Sequence, residues 1–289
     1  MTPIKKAFVL GIISLFVLLV AAPVIAQSQR VPATVVNPTT NDQRATVIVP
    51  TTAADHAPAL VDLGTARDVD GRLVQGYMFI HYKDEYTHRP KHGGGGGTAS
   101  ACYSYLARDA KWKTIEAYRV DPINDQGLLD EFVRATIGGA VGKWEDAADG
   151  VVGNNTAVNI MGDEEGGIVD GVDTVTPDGK NEVLFGDISD ANAIAVTVVW
   201  GVFGGAPRNR ELVEWDQLYD QVDFTWSATG ETGKMDFDNI ATHEKGHAFG
   251  MGHPDDSCNE ETMYRFAATG ETKKQDLNAG DIAGINGLY

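Results

Sequence analysis

The sequence contains few basic residues relative to its acidic content. Among 289 residues, 23 are lysine or arginine and 41 are aspartate or glutamate, so the formal net charge is -18 at pH 7. A surface with this charge repels phosphate backbones and anionic lipid headgroups. The composition therefore argues against nucleic acid and anionic lipid surfaces as partners, while it suits bound divalent cations.

Long apolar runs are also scarce, and no stretch after residue 26 could span a bilayer. The exception lies at the start, where two lysines precede an apolar run at residues 7–22 and small residues follow as far as Ala26. This order is typical of a signal peptide over residues 1–26, and it predicts a secreted protein. Because the run is long for a signal, an uncleaved membrane anchor, with the protein held at the cell surface, stays open.

Cysteine occurs only twice, at Cys102 and Cys258. In an exported protein, the oxidising environment favours a disulfide between the one available pair. Such a bridge would close a long loop, and it would stabilise the folded chain by roughly 5 kcal/mol in the chain-entropy model. We therefore predict that these two residues are joined.

The most informative stretch runs from His243 to His253 and reads His-Glu-Lys-Gly-His-Ala-Phe-Gly-Met-Gly-His. On a helix, His243 and His247 are one turn apart on the same face, where two imidazoles can bind one zinc ion. Gly250 would end the helix, because glycine accepts a left-handed backbone, and the turn would return His253 as the third ligand. The fourth position stays open for a water that Glu244 can deprotonate, as in a catalytic zinc site.

These eleven residues resemble the zinc signature of the metzincin metalloproteases. Met263 lies ten residues beyond the last histidine, and the stretch Glu261-Thr262-Met263-Tyr264 is similar to the methionine turn that lies beneath the zinc in that clan. Arg265 stands where serralysins and astacins carry an extra tyrosine ligand, and no glycine-rich calcium-binding repeats follow. The closing residues 277–289 are similar to the last helix of matrixins. The chain therefore resembles a matrixin, the matrix metalloproteinase type of catalytic domain.

The resemblance implies an α+β fold of the metzincin type. It would contain a twisted, mostly parallel five-stranded sheet with an antiparallel edge strand, two long helices, and a small C-terminal subdomain with the methionine turn and a final helix. The sequence pattern agrees with this order: a strand at 114–120, an amphipathic helix at 126–148, and strands near 157–160, 182–185 and 193–199.

The catalytic domain is expected at residues 98–289, and residues 27–97 are interpreted as a pro-segment or linker. The linker begins with a Thr-, Pro- and Ala-rich part that cannot fold alone, and it ends in a glycine run at 93–97. Between them, the turn dipeptide Asp70-Gly71 and the apolar residues after it predict a hairpin at 60–82. The sequence leaves open whether this hairpin is a propeptide strand or an addition to the enzyme's sheet.

The motif and the resemblance together imply a secreted zinc-dependent endopeptidase that acts on peptide or protein substrates as a monomer. One catalytic zinc per chain would polarise the scissile carbonyl and lower the pKa of its bound water to about 7. Glu244 would take the proton of that water and deliver it to the leaving amine. By resemblance, Met263 forms a hydrophobic floor beneath the metal.

By resemblance, the substrate adds to an edge strand of the enzyme as an antiparallel strand, through backbone hydrogen bonds. The residues at this place in the chain order are Ala193, Ile194, Ala195 and Val196. The wall of the pocket for the residue after the cut would come from Tyr264, Arg265 and Phe266. A buried central strand explains the apolar run at 193–199 equally well.

A stretch rich in acidic residues and glycine lies between residues 163 and 187. Matrixins bind structural calcium in the corresponding loops, and carboxylates suit that ion. The candidate ligands are Asp163, Asp170, Asp173 and Asp178. A second, structural zinc of the matrixin kind is not expected, because every histidine outside the motif lies at or before His92.

Two residues depart from the matrixin pattern. Lys245 stands where relatives carry an apolar residue, and facing the core it would cost several kcal/mol unless it snorkels or loses its proton. Gly280 replaces an acidic residue that in many matrixins pairs with the N-terminus freed by activation. A propeptide cysteine caps the zinc in matrixins, but the residues around Cys102 do not match that motif.

Two other functions compete with a secreted peptidase. One is a cell-surface protein whose zinc is only structural, although such a site has no use for Glu244 as a base. The other is a membrane-anchored peptidase with the same chemistry, which would hold if residues 1–26 are not removed.

Overall fold

The computed structural model describes residues 35–36, 45–49, 59–83, 101–154 and 156–289. The segment assigned to a signal peptide or anchor, residues 1–26, lies outside the described residues, as does the glycine run at 93–97. Within the described ranges, no helix has both the length and the apolar character needed to cross a membrane.

The described residues form three α-helices and a larger number of mostly short strands. The helices are α1 (Asp130–Ala147), α2 (Phe237–Ala248) and α3 (Ala279–Leu288). The strands are β1 (Val35–Val36), β2 (Thr46–Val47), β3 (Leu60–Arg67), β4 (Leu73–Lys83), β5 (Ser104–Tyr105), β6 (Arg119–Val120), β7 (Glu182–Ile188), β8 (Ala193–Val202), β9 (Glu211–Asp220), β10 (Trp226–Ser227), β11 (Met235–Asp236), β12 (Met251–Gly252) and β13 (Phe266–Ala267).

One mixed sheet contains nine of these strands. Its spatial order is β1-β2-β7-β9-β8-β4-β13, with β3 paired to β4 and β6 paired to β7. Strands β7 and β9 are parallel, whereas β8 runs antiparallel to β9. The α+β class and the mixed sheet are thereby confirmed. The sheet is larger than the five strands predicted, because the hairpin of β3 and β4 and several two-residue strands join it.

The predicted hairpin is formed by β3 and β4. Gly71 in its turn has a φ of +80°, the left-handed conformation that the Asp-Gly dipeptide supplies. The Asp68 carboxylate accepts hydrogen bonds from the backbone N–H groups of Asp70 and Arg72. Strand β4 then pairs antiparallel with β8, and its far end pairs parallel with β13. The hairpin is therefore an integral part of the sheet.

Each face of the sheet packs into its own apolar cluster. One face packs against α1 and α2, where Trp144, Phe185 and Phe237 are buried. The other face is lined by Met78 of β4, Trp200 of β8 and residues of their neighbours. Because β4 and β8 bury side chains on both faces, their sequences are almost continuously apolar, as expected for interior strands.

Parts of the predicted strand pattern were wrong. Within 114–120 only β6 is a strand, and residues 157–160 form none; a single bridge joins Tyr118 to Glu164 instead. Residues 211–220, for which no strand was predicted, form the ten-residue β9. This strand lies between β7 and β8, and its polar residues Glu214, Asp216 and Gln217 are buried. Because these residues are polar, the sequence pattern did not indicate a buried strand here.

The structure joins Cys102 to Cys258, with Cα atoms 5.5 Å apart. The bridge ties the chain near residue 101 to the loop after β12. Next to it, the Cys102 carbonyl lies so close to Gly280 that a Cβ atom at position 280 would overlap it. The acidic side chain that many matrixins carry at this place therefore has no room here.

Lys245 lies fully inside the protein on α2. Its Nζ atom donates to Gln217 Oε1 at 2.8 Å and lies 3.5 Å from the centre of the Trp215 ring. Burial lowers the pKa of Lys245 well below its ordinary value. The side chain does not reach solvent, and burial favours its neutral form.

We expect Lys245→Met to leave the thermal unfolding midpoint unchanged or to raise it. Methionine fills a similar volume without a buried amine, and Gln217 Oε1 keeps the Tyr219 hydroxyl as a donor at 3.2 Å. Lys245→Ala, which leaves a cavity, should lower the free energy of unfolding by about 2–5 kcal/mol. Calorimetry on both variants measures the unfolding midpoint and the free energy of unfolding. An equal loss of free energy of unfolding in both variants would show that the amine itself stabilises the fold.

Candidate metal centre

Helix α2 carries two of the three histidines of the motif, and its ends are defined by local sequence. At its start, the Asp236 side chain caps the helix by accepting from the Asn239 N–H at 2.9 Å. At its end, Gly250 has a φ of +95°, and its N–H donates to the His247 carbonyl at 2.9 Å. The left-handed glycine turns the chain into β12, which leads back to His253.

The Nε2 atoms of the three histidines converge. The distance is 3.2 Å between His243 and His247, 3.0 Å between His247 and His253, and 3.3 Å between His253 and His243. Tetrahedral zinc with Zn–N bonds of about 2.0–2.1 Å would place its ligand nitrogens about 3.3 Å apart. The donor set and its spacing therefore fit one zinc ion.

Backbone carbonyls orient two of the rings. His243 Nδ1 donates to the Thr262 carbonyl at 2.6 Å, and His247 Nδ1 donates to the Met251 carbonyl at 2.9 Å. Because a carbonyl only accepts, Nδ1 carries the proton and Nε2 keeps a free lone pair toward the convergence point. Burial lowers the pKa of His247 to about 3 and lowers the pKa values of His243 and His253 as well. The rings are therefore neutral at pH 7, the form that binds metal.

The turn that supplies the Thr262 carbonyl is held by α3. The Asp281 carboxylate accepts from the N–H groups of Thr262 and Met263, at 2.7 and 3.2 Å. Met263 is fully buried, and Gly246 of α2 lets both its sulfur and the Trp144 ring approach the helix. Met263 thus packs against the histidine-bearing helix at Gly246.

Glu244 points to the same region as the histidines and is fully buried. Its Oε2 atom accepts from the Thr197 hydroxyl at 2.6 Å, and its Oε1 atom lies 3.1 Å from His81 Nδ1. Burial raises the pKa of Glu244 to about 8, although the hydrogen bond from Thr197 and the charges of Lys274 and Lys245 act in the opposite direction.

Three residues of this site were not foreseen from the sequence. Phe79 of β4 stacks on the His247 ring with centroids 3.8 Å apart, and His81 of β4 stacks on His243 at the same distance. Lys274 Nζ donates to His81 Nε2 at 2.9 Å, which leaves the proton on His81 Nδ1 to donate to Glu244. A histidine within the apolar and aromatic stretch 77–82 of β4 was the available signal.

The segments assigned to substrate binding lie on either side of β4. The strand with Ala193, Ile194, Ala195 and Val196 is not an edge strand in the described sheet, because β8 lies between β9 and β4. On the other side of β4, the backbone carbonyls of Tyr264 and Phe266 accept from Lys274 Nζ, and the Arg265 carbonyl accepts from the Tyr82 N–H at 3.3 Å. The alternative prediction, a buried central strand at 193–199, therefore describes the position of β8.

Two of the four calcium candidates come together. Asp173 and Asp178 lie with Glu214 of β9 within metal-binding distance of one another. Asp163 and Asp170 are exposed, and Asp170 pairs with Lys180 at 2.8 Å. Burial raises the pKa of Asp173 to about 6 and that of Glu214 to about 9. The sequence missed Glu214 because it follows the acidic stretch on a later strand.

We expect Asp281→Ala to weaken zinc binding by about tenfold to a hundredfold, the range for residues that orient a metal ligand. Without the carboxylate, the turn that presents the Thr262 carbonyl to His243 loses the two backbone hydrogen bonds that Asp281 accepts. Competition with a chromogenic chelator measures the affinity. Asp276→Ala, which removes an exposed acid nearby, is the control. Equal affinities in the two folded variants would contradict the expectation.

Comparison with known proteins finds a family match in the C-terminal part of the chain. The matrixin family profile matches residues 183–289. Metalloendoproteinase 2-MMP of Arabidopsis thaliana is 36% identical over 75 residues, which cover 24% of this chain and 19% of that protein. Metalloendoproteinase 1-MMP of the same plant is 40% identical over 55 residues, which cover 19% and 14%. The matched part therefore spans less than a fifth of either relative.

The matched region contains all three histidines, Glu244 and the methionine turn. Its α+β fold and converging imidazoles agree with the family. Residues 183–289 therefore match a matrixin-type catalytic domain.

Proposed function

We propose that this chain is a zinc-dependent metalloendopeptidase that hydrolyses peptide bonds in protein or peptide substrates. The observation that carries the proposal is the convergence of three neutral imidazole nitrogens at about 3 Å spacing beside the Glu244 carboxyl group. The matrixin-type domain and the two plant metalloendoproteinases support it.

His243, His247 and His253 would hold the zinc ion, which supplies a Lewis acid and a bound water with a pKa of about 7. Glu244 takes a proton from water during attack and delivers it to the leaving amine. Thr197 fixes one carboxyl oxygen of Glu244 by donating to Oε2, so the other oxygen is the one that handles the proton.

A structural zinc site without turnover is the competing function. It would leave Glu244, a buried carboxyl beside the histidines, without a purpose, and burying such a group is costly. We further propose that the protein is exported, because residues 1–26 resemble a signal peptide. Sequencing the N-terminus of the mature protein distinguishes a cleaved signal from a retained anchor.

Glu244→Ala is expected to lower peptide hydrolysis by at least about 10²-fold while zinc content is unchanged, because the imidazoles hold the metal and the carboxylate moves the proton. Casein digestion, with and without a zinc chelator, measures the activity. It is run before and after proteolytic removal of the segment that precedes residue 101. Glu260→Ala, at an exposed glutamate, is the matched control.

Two results would contradict the peptidase. Near-normal hydrolysis by zinc-loaded Glu244→Ala would show that Glu244 is not the base. A wild-type protein that cleaves no unfolded polypeptide in either form would favour the structural zinc site.

We also propose that Asp173, Asp178 and Glu214 bind calcium. Glu214 is almost fully buried, and its Oε1 atom has no hydrogen-bond partner among the described groups, as is also true of Asp173 Oδ2. Calcium takes carboxylate ligands of this kind. An ion here would offset the burial, and the smaller repulsion between carboxylates, that otherwise keep protons on these groups.

The pH dependence of the free energy of unfolding tests this calcium site. Without calcium, the folded state keeps protons on Asp173 and Glu214 up to pH values of about 6 and 9, whereas the unfolded state loses them near pH 4. Stability should therefore fall as pH rises between about 4 and 9. Calcium should raise the unfolding midpoint at pH 8 but not at pH 5. Glu214→Gln should abolish this increase and Asp163→Asn should retain it; no calcium effect on the wild type would exclude the site.

A further inference from the structure

Strand β4 lies in the position that a bound substrate strand would take. It runs antiparallel to β8, with Phe79 opposite Thr197 and His81 opposite Ala195. Its end pairs with β13 on the other side. Peptides that add to a sheet use this same backbone pairing. The edge of β8 nearest the metal centre is therefore already occupied by a segment of the same chain.

We propose that the hairpin of β3 and β4 is an internal inhibitor, which fills the substrate position and covers the metal centre until it is displaced. The proposal rests on the peptidase function proposed above. It concerns this chain's own N-terminal segment, and it makes the full chain latent.

The side chains of β4 cover the reacting groups as well as the strand edge. The Phe79 ring lies on His247, and the His81 ring lies on His243 and bonds to Glu244. His243, His247 and Glu244 are 0% exposed. A scissile carbonyl and its attacking water would need the volume that these two rings occupy. An opening remains beside His253, in a shallow depression that includes Pro254 and Arg265.

Lys274 fastens β4 to the far wall of the cleft. Its Nζ atom donates to His81 Nε2, to the Tyr264 carbonyl and to the Phe266 carbonyl, so all three N–H groups have acceptors. Both carbonyls belong to the segment that the sequence assigned to the specificity pocket. The same lysine thus connects β4 to that segment and to the Glu244 carboxyl through His81.

A cysteine cannot supply the latency of this chain. The sequence has only Cys102 and Cys258, and the structure joins them to each other. Neither thiol is free to bind zinc. In this chain, a strand that covers the metal site takes the role that a zinc-binding propeptide thiol has in matrixins.

Displacement of β4 needs an external event, since Met78 and Ile80 are fully buried on the face opposite the histidines. Removing them from the core would expose large apolar side chains to water. The sequence between β4 and residue 101 contains five consecutive glycines. Cleavage there would leave the hairpin held at the metal centre by non-covalent contacts alone.

The first experiment weakens β4 in the full chain by Gly76→Val. A Cβ atom at Gly76 would lie 2.7 Å from the Trp200 ring of β8, which is fully buried and cannot yield easily. Leu73→Ser, at an exposed position of the same strand, is the control. We expect Gly76→Val to raise two rates by about tenfold or more: hydrolysis of a quenched fluorescent peptide, and zinc transfer to a chromogenic chelator. Leu73→Ser should change neither.

A second arm covers the case in which Gly76→Val does not fold. A protease recognition sequence is inserted within the glycine run 93–97 of the full chain, and the purified protein is cut. Both rates should rise in proportion to the N-terminal fragment lost on gel filtration. Adding the purified fragment back should suppress them.

The two readouts separate this proposal from the peptidase function. Faster zinc transfer without hydrolysis in any form would support the inhibitory hairpin and contradict the peptidase. Equal hydrolysis and equal zinc transfer before and after loss of the fragment would overturn the inhibitory hairpin, whatever the activity.

Discussion

The arrangement of the C-terminal half depends on one requirement, that three neutral imidazoles present unprotonated nitrogens to a single point. If a ring were protonated or rotated, an N–H or C–H group would stand where the metal needs the lone pair of a ring nitrogen. The Thr262 and Met251 carbonyls prevent this by accepting from Nδ1 of His243 and His247. The turn that carries Thr262 is in turn held by Asp281 of α3. Helix, turn and final helix are therefore coupled through hydrogen bonds to buried backbone groups.

The sheet beside this centre has a second requirement, that its strand edges find partners. An unpaired strand edge leaves backbone N–H and C=O groups that bind other strands. In this chain the β8 edge is paired with β4, and the pairing places Phe79 and His81 on the histidine rings. The hydrogen-bonding pattern suited to an extended peptide is thus satisfied from within. This connects the fold of the N-terminal hairpin directly to the accessibility of Glu244.

Several ionisable side chains are buried in the interior of the protein. Lys245 lies against Trp215 and Gln217, and its pKa is lowered by burial. Glu214 sits on the interior strand β9 with its pKa raised for the same reason. In each case burial favours the neutral form, unless an opposite charge is supplied. A cation beside Glu214 would reverse that preference, whereas Lys245 has an aromatic ring and an amide as neighbours.

Local sequence by itself determined the histidine-bearing helix, the glycine that ends it and the hairpin at 60–82. These features depend on residues within a few positions of one another: a 3.6-residue period, a left-handed glycine, an Asp-Gly turn. Only the tertiary structure decided that β4 lies against β8, that His81 meets Glu244 163 residues away, and that Glu214 completes the acidic cluster. The reason is physical: backbone hydrogen bonds between strands are alike for every pair, so the choice of partner is made by side chains distant in sequence, as the whole sheet packs.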